Sequence, residues 1–407
     1  MSPETILLIS AIIAFILAMS IGANDVANSM GTAVGSKAIT IKQALIIAGI
    51  LEFGGAYFFG KNVTETIKSG IFKAELITDH RMFIAGAFAA ILAAAIWVFV
   101  ATFFSMPVST SHSIVGAMAG FAIVAFGWGS VNWFKIGMIV ISWVLSPLIG
   151  GFIAYLIFKI ISLLIFHKVS PFSAAKKIAP ILVGITVLTV SILFFTCIIT
   201  NSTLSPVFYI SASLVAGLIT ALATYILLRK MFVSHEDEYR SVEQLFKRLQ
   251  VFTSCYVSFA HGANDVANAI GPLAAIYAIV KLGSLQAKAE IPMFLMILGG
   301  LGISLGIFLL GSKVMKTIGE SITELNNTRG FSINFGTATT VLVASSLGFP
   351  ISSTHTIVGA VVGVGYARGI EAVNLGVLKH IVISWVITVP IAALTSALLY
   401  LLFVQVV

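Results

Sequence analysis

Long stretches of this 407-residue chain contain no Asp, Glu, Lys or Arg. Residues 5–23, 178–228, 291–312 and 381–407 have none, and 82–134 has none beside its single histidine, His112. A helix crosses the hydrocarbon of a bilayer in about 20 residues, so these runs predict about ten to twelve membrane segments. Only 9% of all residues are charged and 59% are hydrophobic. A water-facing surface of that composition would expose very large apolar patches, whereas a lipid-facing one requires no charge. The fold class expected is all-α, a polytopic integral membrane protein.

The remaining composition closes other routes. The net charge of +8 comes from 23 Lys and Arg scattered through short connections, which build no nucleic-acid face and fit a positive-inside bias. Cys197 and Cys255 have no partner spacing for a disulfide framework or a metal site. Met1-Ser2-Pro3-Glu4 lacks the basic start of a signal peptide and reads as the edge of a retained first helix.

The chain is internally doubled. Gly22-Ala23-Asn24-Asp25-Val26-Ala27-Asn28-Ser29-Met30-Gly31 returns as Gly262-Ala263-Asn264-Asp265-Val266-Ala267-Asn268-Ala269-Ile270-Gly271, eight of ten positions identical at an offset of 240. The run from Pro107 to Ala117 is answered from Pro350 to Ala360 at offset 243, and Ile139-Val140-Ile141-Ser142-Trp143-Val144 by Ile381-Val382-Ile383-Ser384-Trp385-Val386 at offset 242. The expected organisation is a first repeat at 1–166, two linking transmembrane helices plus a charged cytoplasmic segment at 167–246, and a second repeat at 247–407. Cations flank the two linking helices, with Lys168, Lys176 and Lys177 before and Arg229, Lys230, Arg240, Lys247 and Arg248 after, while 201–206 between them has no charge. Both flanks then lie in the cytoplasm. With an odd number of crossings per repeat, the repeats are inverted and both termini are extracytoplasmic. Lys37 and Lys42 agree with this orientation; Lys61, Lys68, Lys73 and Arg81 do not, although Glu65, Glu75 and Asp79 accompany them. Residues 234–248 read as a short soluble helix or loop.

Asn24, Asp25 and Asn28, like Asn264, Asp265 and Asn268, cluster on one helical face. A carboxylate deep in a bilayer costs several kcal/mol unless it is paired or faces a wet cavity. Neither motif contains Lys or Arg. A bound alkali cation is a suitable partner, with carboxylate, amide and backbone oxygens as its hard ligands. Glycines at the motif edges are expected to break the helix and free carbonyls. The competing reading is plain helix packing through small residues, with Asn as interhelical glue.

The second repeated motif predicts a re-entrant helical hairpin. Pro107 and Pro350 interrupt apolar runs and precede rows of hydroxyls and a histidine. A half-helix start aims free N–H donors and partial positive charge into the protein, which is an anion cradle. Ser109, Thr110, Ser111, Ser113, Ser352, Ser353, Thr354 and Thr356 add donors for tetrahedral oxygens, and Asn28 and Asn268 join them as candidate phosphate ligands. Ordinary N-capping is the alternative for the serines and threonines. His112 and His355 are expected to tie the hairpins structurally. Thr102 and Ser345, five residues before each proline, are candidate cation ligands beside Asn24, Asp25, Asn264 and Asp265. Glu52, in the apolar stretch 46–60, has Ile303 as its counterpart. It is a further cation or pathway residue, or the partner of a loop lysine. Two carboxylates would repel a dianion at low dielectric, so cations or protons between them would make anion binding depend on cation binding.

The twin Gly-Ala-Asn-Asp-Val-Ala-Asn motifs and the Pro-x-Ser-Ser/Thr-Thr/Ser-His hairpins resemble the inorganic phosphate transporter family over nearly all of both halves. The resemblance implies a prokaryotic sodium- or proton-coupled phosphate symporter of the plasma membrane, in a bacterial or archaeal inner membrane, working as a homodimer without a cofactor other than co-transported Na+ or H+. It points to Asp25, Asp265, Thr110, Ser352 and Glu52. Animal sodium-coupled relatives have an acid where this chain has Asn334, and their long cytoplasmic insert is absent. The rival functions are a cation exchanger, a proton-coupled phosphate or metal-phosphate transporter, and a non-transporting membrane scaffold. No phosphate loop, metal triad or activated nucleophile supports an enzyme.

Overall fold

The computed structural model describes residues 1–77, 79–104, 106–198, 205–230, 237–283, 290–312, 315, 324–369 and 374–406. Ser105 and most of the 201–206 link lie outside them, as do 234–236 of the charged segment and the side chain of Cys197. Twelve longer helices account for nearly everything described. The first repeat holds α1 (Pro3–Gly35), α2 (Ile41–Ser69), α3 (His80–Phe103), α4 (Thr110–Phe126) and α5 (Trp133–Ile161). Next come α6 (Pro171–Ile198) and α7 (Pro206–Arg229). The second repeat holds α8 (Glu238–Leu282), α9 (Met293–Leu310), α10 (Asn327–Ser346), α11 (Ser353–Arg368) and α12 (Leu375–Phe403). Among the described residues, nine helices are long and apolar enough to cross a membrane. The protein is a multi-pass membrane protein.

Local sequence sets the ends. The Ser2 side chain caps α1 with Pro3 in its first turn, and Thr40 with Gln43 forms a capping box on α2. At the other end of α8, Gly283 takes φ +69, a left-handed stop that favours glycine. Helix α8 begins at Glu238 after the N-cap Asp237, so it runs across the 246/247 boundary drawn from sequence, and residues 238–248 are helical, continuous with the segment that follows. At about 1.5 Å per residue, its 45 residues reach well beyond a bilayer's hydrocarbon.

The two halves interlock. Helices α1 and α2 pack on α8 and α9, the α3–α4 hairpin packs on α12, and the α10–α11 hairpin packs on α5. The crossings repeat atom by atom. A Cβ added at Gly22 would lie 2.0 Å from Ile303 O, and one at the matching Gly262 would lie 2.0 Å from Glu52 O. Likewise Gly306 meets Met19 O and Gly55 meets Phe259 O, each at 1.9 Å. These glycines permit backbone contact between helices, and they do not break them: α1 and α8 run unbroken through both motifs, contrary to the expectation. Lateral contact needs only a missing Cβ, whereas breaking a helix also forfeits its hydrogen bonds. The interruptions fall at the hairpin tips, where Pro107 and Pro350 stand outside the helices and the first helical residues are Thr110 and Ser353. Helices α1 and α8 are antiparallel at their crossing. The Asp25 end of one meets Asp265 of the other, while Gln250, earlier in α8, donates to Thr32 O, later in α1.

Candidate functional site

The antiparallel crossing brings the repeated acids together. Ligand atoms of Asp25, Asp265 and His261 lie within 4.8 Å of one another, and all three residues are buried. His261 precedes Asp265 by one helical turn, which puts its Nε2 2.7 Å from Asp265 Oδ2 and 3.8 Å from Asp25 Oδ2. Its Nδ1 lies 2.8 Å from Glu52 Oε2, and Ser29 donates to Glu52 Oε1 at 2.9 Å. Both ring nitrogens therefore face carboxylate oxygens. An ionised carboxylate only accepts, so the Nδ1–Glu52 hydrogen bond requires a proton, whereas Nε2 approaches Asp265 without a hydrogen bond. Three buried carboxyl groups around one imidazole carry more acid than the ring can neutralise, and a small cation at Asp25 and Asp265 would relieve the excess. Of the two fates weighed for Glu52, pairing with a loop lysine is corrected: its partner is His261 from the other half of the chain.

The asparagines fasten both hairpins to this cluster. Asn24 Nδ2 donates to Thr102 Oγ1 at 3.0 Å and to Met106 O at 3.1 Å, and its Oδ1 accepts from Val108 N. Asn264 treats the other tip the same way, through both the carbonyl and the N–H of Ile351. These amides, expected as cation ligands, latch the hairpin tips. The hydroxyls of Thr102 and Ser345 both donate within their own helices, to Val98 O and Val341 O, and Thr102 also accepts from Asn24. Asn28 Nδ2 reaches Asp25 Oδ1 and, across the pseudo-dyad, Thr354 Oγ1 at 2.8 Å. Asn268 reaches Asp265 Oδ1, Thr110 Oγ1 and Ser111 Oγ. The Oδ1 atoms of Asn28 and Asn268 are buried without a hydrogen-bond partner among the described residues, one in each half. In α8, Pro272 removes the N–H that would bind Asn268 O, so that carbonyl is also released from the helix ladder.

The hairpin hydroxyls divide into four uses. Ser109 and Ser352 are N-caps that accept from His112 N and His355 N, as the capping alternative holds. Ser113 and Thr356 donate back to Ser109 O and Ser352 O. Thr110 and Ser353 point into the cluster, donating to Asp25 Oδ2 and Asp265 Oδ2 at 3.0 Å each. Ser111 and Thr354 cross the dyad to Ile351 O and Val108 O, stitching one tip to the other. His112 and His355 face each other with ring centroids 4.4 Å apart. Each Nδ1 lies 3.3 Å from a tryptophan carbonyl, Trp385 O for His112 and Trp143 O for His355. These contacts tie the hairpins to α12 and α5, while His112 Nε2 and His355 Nε2 are buried without a hydrogen-bond partner among the described residues.

The resulting site is two acids and one imidazole beneath two opposed helix starts, built from matched halves. Residues 21–396 match the profile of the phosphate transporter family. The chain belongs to the phosphate transporter family. This transporter is 50% identical over 396 residues to a protein of Thermococcus kodakarensis named a phosphate permease, covering 97% of each chain. It is 40% identical over 416 residues to the chloroplastic inorganic phosphate transporter 2-1 of Arabidopsis thaliana, covering 95% of this chain and 70% of that one. A solved structure described as the sodium-dependent phosphate transporter superposes with a TM-score of 0.94 at 49% identity, covering 99% of this chain and all of the other. The protein is a transporter, not an enzyme.

Sequence reasoning missed His261 as a member of the transporter's acid cluster. Its signal was the i, i+4 spacing to Asp265 on the motif face, together with Ile21 at the matching position of the first half. Asn334, where animal relatives carry an acid, lies in a separate buried network. It accepts from Thr32 Oγ1 and donates to Ser254 Oγ, each at 2.7 Å.

Proposed function

We propose that this protein imports inorganic phosphate across the plasma membrane together with Na+, by alternating access around the Asp25–Asp265 crossing. The observation that carries the reading is the placing of two acids and His261 within 4.8 Å under two hairpin starts. Sodium would sit at the carboxylates of Asp25 and Asp265, with the free amide oxygens of Asn28 and Asn268 as further ligands. Phosphate would lie between the tips, taking hydrogen bonds from Thr110, Ser111, Ser353 and Thr354 and from the Asn28 and Asn268 amides. The bound cations offset the acids that would otherwise repel the anion. The relatives' names, phosphate permease and sodium-dependent phosphate transporter, support the substrates. The functional unit would be a homodimer, with both termini outside the cytoplasm.

Proton coupling is the second reading, favoured by the proton held between His261 and Glu52. Reconstituted vesicles decide between them. Labelled phosphate should enter under an imposed sodium gradient at constant pH and not under a proton gradient alone. Asp25→Ala should abolish that uptake. Full activity of D25A, or uptake indifferent to both gradients, would remove the mechanism.

A further inference from the structure

The two routes out of the acid cluster are not alike, although the repeats that form them are. Toward the α1–α2 connection, Asp25, Ser29, Thr32 and Ser36 share one face of α1 at successive turns. Gln250, Ser254, Ser258, His261 and Asp265 share the opposing face of α8. Hydrogen bonds join them in two groups along the face: Ser29 with Glu52 beside the cluster, and farther out Thr32 to Asn334, Asn334 to Ser254, Gln250 to Thr32 O, and Ser36 to Gln250 Oε1 at 2.7 Å. All of these except Ser36 are fully buried, and Ser36 is partly exposed. Ser258 Oγ, wholly buried on the same face, has no partner among the described residues.

The matching route on the other side is apolar. At the offset of 240, Ser29 becomes Ala269, Thr32 becomes Pro272, Ser254 becomes Ala14, Ser258 becomes Ala18 and His261 becomes Ile21. Glu52 is matched by Ile303 and, at offset 243, Asn334 by Ile91. Gln250 alone keeps a polar counterpart, Ser10, whose hydroxyl returns to its own helix. Opening the apolar route exposes hydrocarbon to water, whereas opening the polar one exchanges protein hydrogen bonds for water at little net loss. Hydroxyl and amide oxygens are ligands for an alkali cation. Glu52 at the head of the route repels an anion, and no Lys or Arg occurs within 25–36 or 250–265; Lys37 and Lys247 stand only at its outer end.

We infer that this polar face of α1 and α8 is the path by which the co-transported cation leaves the acid cluster toward the α1–α2 connection, and that its apolar counterpart is a dry seal. The inference rests on the cation-coupled reading above. Its test uses the full chain in vesicles with Cys197 and Cys255 replaced by alanine, carrying either Ser258→Cys or Ala18→Cys. A small, cationic, membrane-impermeant thiol reagent is applied from each side. S258C should react about tenfold faster from the side of residues 36–40 than A18C does from the other, with sodium slowing the reaction. Equal rates, faster A18C, or an inert S258C in vesicles that still take up phosphate overturn the path.

A second pair of variants covers poor folding of S258C. Asn334→Leu should slow sodium-driven uptake about fivefold with phosphate half-saturation unchanged, and Asn334→Asp should stay near the parent rate. An unimpaired N334L also overturns it. Labelling needs no phosphate, so phosphate uptake that fails under both gradients while S258C reacts faster sinks the transport reading and leaves the path standing.

Discussion

At the scale of single residues, Glu52 and His261 form a buried carboxyl–imidazole hydrogen bond whose pseudo-symmetric counterpart is the apolar pair Ile303 and Ile21. Removing one member leaves the other buried without its partner, which costs about 1–3 kcal/mol, more where the group is charged. Glu52→Ile and His261→Ile should each lower the thermal midpoint of the detergent-purified protein by several degrees. The double variant reproduces the packing already present on the other side and should recover much of the loss, while uptake stays absent in all three. A double variant no more stable than the worse single one would show that the pair does not act as a unit. The asparagines divide in a similar way. Asn24→Ala and Asn264→Ala release hairpin tips, whereas Asn28→Ala and Asn268→Ala remove amide oxygens without a partner in the fold together with amide donors to the acids and to the opposite tip. Stability measurements should therefore find all four variants below the parent, and uptake assays should find N28A and N268A defective in sodium dependence as well.

Among the elements, the helix crossings are the most demanding feature. Gly54 and Gly55 are neighbours on α2, yet a methyl at Gly55 would lie 1.9 Å from Phe259 O and one at Gly54 no closer than 3.7 Å to the Phe259 ring. Gly55→Ala should force α2 and α8 apart, costing about 1–3 kcal/mol or more as overpacking does, and Gly54→Ala should be neutral. Equal melting points for the two variants would contradict the crossing geometry. The hairpins were readable as interruptions because Pro107 and Pro350 cannot donate within a helix. Their caps, Ser109 and Ser352, follow from the preference of serine for helix starts. Which hydroxyls would turn into the cluster was not readable, since Thr110 and Ser111 differ only in where their helix places them.

For the whole molecule, reading α3–α4 and α10–α11 as re-entrant hairpins, with their tips on Asn24 and Asn264, leaves α1, α2, α5 to α9 and α12 as eight expected crossings among the described residues, although α3 is also long and apolar enough to span. An even number of crossings puts both termini on one side. Reporter fusions at Met1 and after residue 406 should agree with each other and oppose one inserted between Lys37 and Thr40. Inverted pairing also explains why the polar network around Asn334 lies on one side only. The dyad repeats the backbone, while unequal side chains at matched positions distinguish one face from the other.

The sequence by itself determined the solvent, the doubling, the antiparallel sense of the repeats and the two motifs. Each of these depends on local patterning: charge-free length, identical strings, flanking cations and proline position. Only the tertiary structure decided that Glu52 meets His261, that Asn28 reaches Thr354, and that glycines bring backbones together instead of breaking helices. Those contacts join residues far apart in the chain through the register of helix crossings. In lipid every helix face is apolar enough to be a candidate for burial, so hydropathy cannot say which face meets which. Steric fit at missing Cβ atoms sets that register, and the Glu52–His261 pair then falls where the crossing puts it.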